Sequence, residues 1–198
     1  TAASPRYESP ITLQGSSTIK AGLFLDGALQ GRIVAVPFLV HKASGQKVTY
    51  THPWSDRYQA AGPTALVDGL TGSKNYNDGS WQGFEQHDLE VVIDLGREME
   101  IRRVSSSYLE DFGSWIFAPR EVSYAFSDKG KEFQTLAVLP GGGMQDGNEI
   151  TINHFGRDFS NLRARYLKVT AKNIGVCPPD HAGAGGKAWL FVDEIIVE

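Results

Sequence analysis

Short strand-like segments separated by turn residues run through most of this chain, and they constrain its fold more than any other feature. The segments are rich in β-branched and aromatic residues, whereas helical periodicity is nearly absent. Repeated short strands without intervening helices are typical of an antiparallel sandwich or barrel. The sequence therefore predicts an all-β fold with strands at Leu89–Leu95, Ile101–Tyr108, Glu121–Ser127, Phe133–Leu139, Ile150–His154, Tyr166–Lys172 and Leu190–Val197.

The first part of the chain predicts a separate, smaller sheet. Its strand-like runs are Pro10–Leu13, Thr18–Phe24 and Arg32–Val40. Asp26 and Gly27 predict a hairpin turn between the last two of these runs. Three strands in about 40 residues make a small sheet with little core of its own, so it is expected to be only marginally stable alone. The polar segment His41–Gln46 then marks a boundary before the main set of strands.

Composition and charge exclude several classes of function. The 198 residues carry a net charge of −4, so the phosphate backbone of a nucleic acid is a poor partner. The longest apolar run, Val34–Val40, is interrupted by Pro37, and no apolar run reaches 18 residues. Membrane insertion is therefore not expected. Cys177 is the single cysteine, which excludes an internal disulfide and a cysteine-based metal site.

The stretch Leu66–Gly96 concentrates the residues that point to binding. A loop rich in Asp, Asn, Gly and Ser leads into Trp81, and a strand that stops at Gly96 follows. Oxygen donors on a tight loop beside an aromatic ring suit a hard cation and a polar ligand such as a sugar. Two long connections, Glu110–Arg120 and Asn173–Ala188, are further places where a rigid sandwich carries binding residues.

Most of the chain resembles the coagulation factor V/VIII type C, or discoidin-like, domains. The resemblance is carried by Trp81 followed by LEVVIDLG, by Ile101–Val104, by the turn Ser127–Gly130, and by the motifs RYLKV and VDEIIV. It implies a discoidin-like (galactose-binding-like) antiparallel jelly-roll β-sandwich over residues 43–198.

The first part of the chain resembles a region of chitobiase-type β-N-acetylhexosaminidases of glycoside hydrolase family 20. The motifs are SPRYESPITL, STIKAGLF and DGALQG, followed by HKASG and YQAAGPTALVDGLTGS. Such enzymes carry a small Ig-like domain and a discoidin-like module after the catalytic barrel. The resemblance implies a partial Ig-like domain at residues 1–42 and a non-catalytic, carbohydrate-binding end of a bacterial enzyme. It further implies a periplasmic, outer-surface or secreted location, with the catalytic domain of the parent chain as a partner.

A structural Ca²⁺ site is implied by the discoidin-like resemblance. Carbonyl oxygens and carboxylates are the ligands that this hard cation requires. The family often has a Thr where this chain has Gly79, which removes a hydroxyl ligand. In the alternative, Asp68 caps a turn with its own side chain and Glu194 pairs with a nearby backbone group or cation. The expected ligands are Asp68, Glu194, Asp78 and the carbonyl groups near Leu66, Thr71 and Ser73.

A carbohydrate site at the same end of the sandwich is also implied by the resemblance. Trp189 aligns with the aromatic residue on which the sugar stacks. Glu110 and Asp111 stand where an Arg is often found, so the ligand is given only as a glycan containing galactose or N-acetylhexosamine. Trp81 is expected to pack in the core. The other expected contacts are His181, Gln82, Phe84, Glu85, Glu110, Asp111 and Trp54.

Catalysis is not expected of this chain. Family 20 enzymes use an adjacent Asp-Glu pair, and Asp193 and Glu194 are such a pair. They lie in a predicted strand, where neighbouring side chains point to opposite faces, so they are not expected to converge on one substrate.

The alternative to glycan binding is a structural module that braces the catalytic domain or a dimer without binding sugar.

Overall fold

The computed structural model describes residues 3–142 and 149–198, which form a two-stranded sheet and a seven-stranded sheet. Two short 3-10 helices, Gly62–Val67 and Phe112–Ser114, lie in the connections. No helix in these residues has the length and hydropathy of a membrane span. The strands are β1 Ser17–Leu25, β2 Ala28–Phe38, β3 Lys47–Tyr50, β4 Gln82–Glu85, β5 Leu89–Glu110, β6 Glu121–Ser127, β7 Gln134–Pro140, β8 Thr151–Ala171 and β9 Trp189–Val197.

The larger sheet folds into two layers because β5 and β8 are long and bent. The first half of β5 pairs with β3 and with the end of β8, which in turn pairs with β6. The second half of β5 pairs with β9 and with the start of β8. Register shifts after Asp94 and after Ile101 mark the bend between the two layers. All of these pairings are antiparallel, so the predicted all-β, antiparallel fold is confirmed.

Two pairs of predicted strands are each one continuous strand. Leu89–Leu95 and Ile101–Tyr108 are both parts of β5, and Ile150–His154 and Tyr166–Lys172 belong to β8. Gly96 was predicted to end the first of these strands, but the ladder to β8 resumes at Met99 across a bulge. The strand β4 was not predicted, because it has only four residues.

One hydrophobic core joins the two layers. Alternate residues of β5, such as Leu89, Val91 and Ile93, point inward and are fully buried. They share a cluster with Val192 and Ile195 of β9 from the other layer. A second buried cluster contains Trp81, so its predicted place in the core is confirmed. This second cluster lies beneath the candidate site described below.

The strands β1 and β2 form an isolated hairpin. Asp26 and Gly27 both have positive φ, 48° and 79°, as a tight two-residue hairpin turn requires, so the predicted turn is confirmed. The predicted strand Pro10–Leu13 is wrong, since these residues belong to no sheet. Pro10 has no N–H to donate to a ladder. Whether residues 1–42 are part of an Ig-like domain stays a prediction.

Candidate functional site

An open groove lies where the loop that follows β5 meets the start of β9. The two segments are adjacent because Leu109 of β5 pairs with Phe191 of β9 in antiparallel register. The groove has a volume of about 290 Å³. It is lined by Tyr58, Tyr76, Gly113, Ser114, Trp115, Ile116, Trp189 and Phe191.

Aromatic side chains form most of the groove wall. The ring centroid of Tyr58 lies 5.3 Å from that of Trp189 and 4.7 Å from that of Phe191. Tyr76 joins them at 6.0 Å from Tyr58. These edge-to-face and tilted contacts are the preferred geometries of aromatic pairs, and they fix the rings relative to one another. The wall is therefore a rigid apolar surface with polar tips.

Trp115 is held open to solvent by an unusual backbone conformation. It follows the 3-10 helix Phe112–Ser114 with a φ of 64°, and its N–H donates to the Phe112 carbonyl. Its side chain is 40% exposed. A left-handed backbone at a bulky residue costs about 1–3 kcal/mol and occurs where surrounding contacts enforce it, often at functional sites. The neighbouring loop supplies such contacts.

The loop 173–188 packs against the ring of Trp115. A Cβ atom at Gly183 would lie 2.5 Å from the Trp115 indole, so only glycine leaves room for the ring there. Gly183 also donates its N–H to His181 Nδ1 at 2.8 Å. His181 Nε2 therefore carries the proton and donates to the Phe112 carbonyl at 2.6 Å. His181 was predicted to contact sugar, but its buried ring lies beneath the loop that presents Trp115.

Two carboxylates of β9 reach the loop that follows the first 3-10 helix. Gly69 donates its N–H to Glu194 Oε1 at 3.0 Å, and Gly72 donates to Asp193 Oδ2 at 2.8 Å. The expectation that these neighbours diverge is wrong. A β-bulge sets Asp193 and Glu194 opposite the single β5 residue Ser107, which breaks the alternation of the strand.

The Glu194 carboxyl is buried and only partly satisfied. Its Oε1 lies 2.7 Å from His41 Nε2, and its Oε2 has no hydrogen-bond partner among the described residues. Burial, and secondarily the charge of Asp68, raises the Glu194 pKa to about 9. Burial likewise raises the pKa of Asp193 to about 7 and lowers that of His41 to about 4. Burial thus disfavours the ionised form of both the Glu194 and the Asp193 carboxyl.

The other predicted cation ligands serve the local turns. Asp68 Oδ1 accepts from the N–H of Leu70, and burial raises the Asp68 pKa. Asp78 accepts from the N–H groups of Ser73 and Ser80, and the Ser73 carbonyl accepts from the Trp81 indole at 2.9 Å. Leu66 is fully buried in the first 3-10 helix. In the described chain, no three His, Cys, Asp or Glu side chains are grouped as a metal site. A cation bound here would depend on backbone carbonyls such as that of Thr71.

The predicted sugar contacts are divided between the groove and the interior. Trp189 lines the groove, and its stacking against a sugar stays a prediction. Phe84 is 1% exposed and belongs to the main core, which leaves no ring face for a ligand. Gln82 is also fully buried, and its side-chain NH₂ donates to the Gly62 carbonyl. Trp54 packs edge-to-face on Tyr50 against the core, 4.7 Å between ring centroids.

The predicted acidic contacts border the groove or support it. Glu85 pairs with Lys187 at 3.3 Å beside the start of β9. Glu110 is buried and accepts from the Asn153 side chain at 3.0 Å. Asp111 Oδ1 accepts from the Ser114 N–H and so shapes the turn before Trp115. None of these three acids is among the residues that line the groove.

Sequence reasoning missed Tyr58, Tyr76 and Trp115 as groove residues. Each is an aromatic residue in a loop that is otherwise polar or rich in glycine, and that signal was available. Their convergence was not visible, because they come from three loops that are far apart in the sequence.

Comparison with known proteins decides the family. A model of the F5/8 type C domain matches residues 42–191. The chain belongs to the F5/8 type C family. The match confirms the discoidin-like resemblance, and it includes three of the loops that form the groove of this F5/8 type C domain. No curated protein matches the chain.

Solved structures share the fold of this F5/8 type C domain at low sequence identity. A mutant of the lectin binding domain of lectinolysin, complexed with Lewis b, is 17% identical, covers 80% of this chain and 94% of its own, and has a TM-score of 0.51. A GH29 fucosidase of Ruminococcus gnavus in complex with fucose is 15% identical over 80% of this chain and 26% of its own, with a TM-score of 0.53. These TM-scores establish a common fold.

Proposed function

We propose that this F5/8 type C domain is a non-catalytic module that binds a glycan in the groove between Trp115 and Trp189. The observation that carries the proposal is the rigid aromatic wall, which matches the apolar faces of pyranose rings, next to a half-exposed Trp115. A lectin binding domain with the same fold is complexed with Lewis b, which supports a saccharide as the ligand.

Ca²⁺ is proposed as a structural cofactor of the same end of the sandwich. The Asp68 and Glu194 carboxylates would hold the ion, together with carbonyl groups of the loop between Asp68 and Trp81. Support comes from the buried Glu194 Oε2, which has no partner in the described residues, and from the raised pKa of both acids. The ion would supply positive charge to the buried Glu194 and the half-buried Asp68, and it would fix the loop that carries Tyr76.

The parent protein is proposed to be a secreted, periplasmic or surface-bound bacterial β-N-acetylhexosaminidase, with the catalytic domain elsewhere in the chain. A weakly binding module would raise the local concentration of glycan near that domain. Bracing of a neighbouring domain is a second candidate, favoured by Leu23, Leu25 and Ile33 of the isolated hairpin, which are largely exposed. Large exposed apolar side chains grouped on one element are typical of interaction surfaces.

Calorimetric titration of the isolated chain tests glycan binding. Fucose, galactose, N-acetylgalactosamine, N-acetylglucosamine and chitooligosaccharides are each added with Ca²⁺ present. A monosaccharide on an open aromatic platform is expected to bind with a Kd of about 0.1–5 mM. The module does not bind these sugars if none of them produces heat or perturbs indole fluorescence at a concentration about ten times this Kd. Bracing of a neighbouring domain then becomes the better account.

The glycine beneath Trp115 is expected to control glycan affinity without touching the glycan. Gly183→Ala places a Cβ against the indole and should displace the ring, so that affinity falls about 5-fold or more, while the half-exposed ring limits the loss of stability to about 1 kcal/mol. Gly142→Ala is the matched control, since a Cβ there meets nothing within 4 Å. Unchanged affinity in Gly183→Ala would show that Trp115 is not held in position by this loop.

A further inference from the structure

The lining of the groove carries no formal charge. Its eight residues are aromatic, aliphatic, glycine or serine. An anionic sugar would therefore give up hydration of its carboxylate or sulfate without gaining a cation from the lining. Burying an unpaired ionised group is among the costliest changes in a protein site, whereas a neutral hydroxyl needs one hydrogen-bond partner.

Neutral hydrogen-bonding groups are available at the groove. Within the described chain, the hydroxyl groups of Tyr58, Tyr76 and Ser114 make no side-chain hydrogen bond, and the same holds for the indole N–H groups of Trp115 and Trp189. Each hydroxyl both donates and accepts, and each indole N–H donates. These groups complement sugar hydroxyl and acetamido groups, which are themselves neutral donors and acceptors.

Two lysines near the groove are already paired, and Asp111 next to it is acidic. Lys187 pairs with Glu85 at 3.3 Å, and Lys74 pairs with Glu149 at 3.5 Å. Asp111, next to the groove, faces the Ser114 N–H with a carboxylate oxygen. An approaching anion thus meets a nearby negative charge and lysines that already have a partner. Arg57 precedes Tyr58 in the sequence but is not a lining residue.

We infer that the groove selects uncharged sugars and rejects sugar acids and sulfated sugars. The inference rests on the proposed glycan binding and adds the chemical class of the ligand. Neutral hexoses, 6-deoxyhexoses and N-acetylhexosamines are accepted, because their apolar faces cover the rings and their hydroxyls meet neutral groups. Uronic acids, sialic acids and sulfate esters are excluded by uncompensated loss of hydration.

Matched ligand pairs test this selectivity. Galactose is compared with galacturonic acid, and N-acetylglucosamine with its 6-sulfate, by calorimetry at low and at moderate salt. The neutral member of each pair is expected to bind at least about 10-fold more tightly, a difference of about 1.4 kcal/mol. Ser114→Lys, which places a cation in the lining, is expected to raise affinity for the acidic member at least about 5-fold, with a salt dependence that the wild type lacks.

Ser160→Lys is the control, because it adds the same charge at an exposed position outside the groove lining. Equal binding of both members of a pair by the wild-type domain would overturn the inference while leaving glycan binding intact. Loss of acidic-sugar binding in Arg57→Ala would then identify the responsible cation. Failure of every neutral and acidic sugar to bind would overturn both the inference and the proposed function. Equal gains in Ser114→Lys and Ser160→Lys would also count against it, because the effect would then be non-specific.

Discussion

Replacing Trp115 with alanine is expected to weaken glycan binding about 30-fold and to leave the domain folded. The indole is the most exposed aromatic surface of the groove, and central aromatic anchors of a binding site contribute about 2 kcal/mol or more. Because Trp115 is 40% exposed, removal of its ring takes little from the core. Calorimetric titration with the best ligand, together with a thermal unfolding curve, measures the two effects separately.

Val138→Ala is a suitable control, since Val138 is an exposed apolar residue of β7 and does not line the groove. Trp189→Ala should weaken binding by a comparable factor but lower stability more, because Trp189 packs on Tyr58 and Phe191. If Trp115→Ala binds the ligand as tightly as the wild type, the glycan is bound elsewhere on the domain.

In a chelator, the domain is expected to lose about 2 kcal/mol of unfolding free energy between about pH 7 and pH 9, or about 4–8 °C in Tm. The pKa of Glu194 is raised by burial to about 9, so the folded state keeps a proton that the unfolded state has already released. Stability therefore falls as pH rises through this window. Asp193, with a pKa of about 7, also makes stability fall as pH rises, but at lower pH. The lowered pKa of His41 makes stability rise with pH, but only below about pH 6.5, outside the window.

Glu194→Gln is expected to remove most of this pH dependence, because glutamine has nearly the same shape and does not titrate. Thermal unfolding of the wild type and of Glu194→Gln at several pH values, with chelator or with Ca²⁺, measures how the stability of each depends on pH. Added Ca²⁺ should stabilise the wild type increasingly as pH rises, since the ion competes with the proton for Glu194, and should have little effect on Glu194→Gln. A wild-type Tm that is flat from pH 7 to pH 9 in chelator would contradict the buried, protonated Glu194.

The fold was predictable from the sequence to the level of its layers but not of its strand ends. Alternating residues such as Leu89, Val91 and Ile93 report locally which face of a strand is buried. Gly96 was interpreted as the end of that strand. The ladder instead resumes at Met99, because β8 continues alongside and bends together with β5.

The sequence predicted that aromatic and acidic residues form the site, but it did not predict which of them lie in the groove and which lie in the core. Trp189 was expected at the site and lines the groove, whereas Phe84 is turned into the core by its pairing with Leu190 in β9. The divergence expected of Asp193 and Glu194 follows from regular strand geometry. A single bulge, which depends on the pairing with β5, reverses that expectation.

The sequence by itself determined that this chain is an antiparallel β-protein with oxygen-rich and aromatic loops, because strand alternation and turn chemistry act over a few residues. Only the tertiary structure decided which loops meet. Tyr58, Trp115 and Trp189 form one groove because antiparallel pairing aligns the end of β5 with the start of β9. The orientation of Trp115 depends on a hydrogen bond from His181 to Phe112, residues that are distant in the chain. Such contacts form only when the packed sheets hold separate loops together, and no local pattern specifies them.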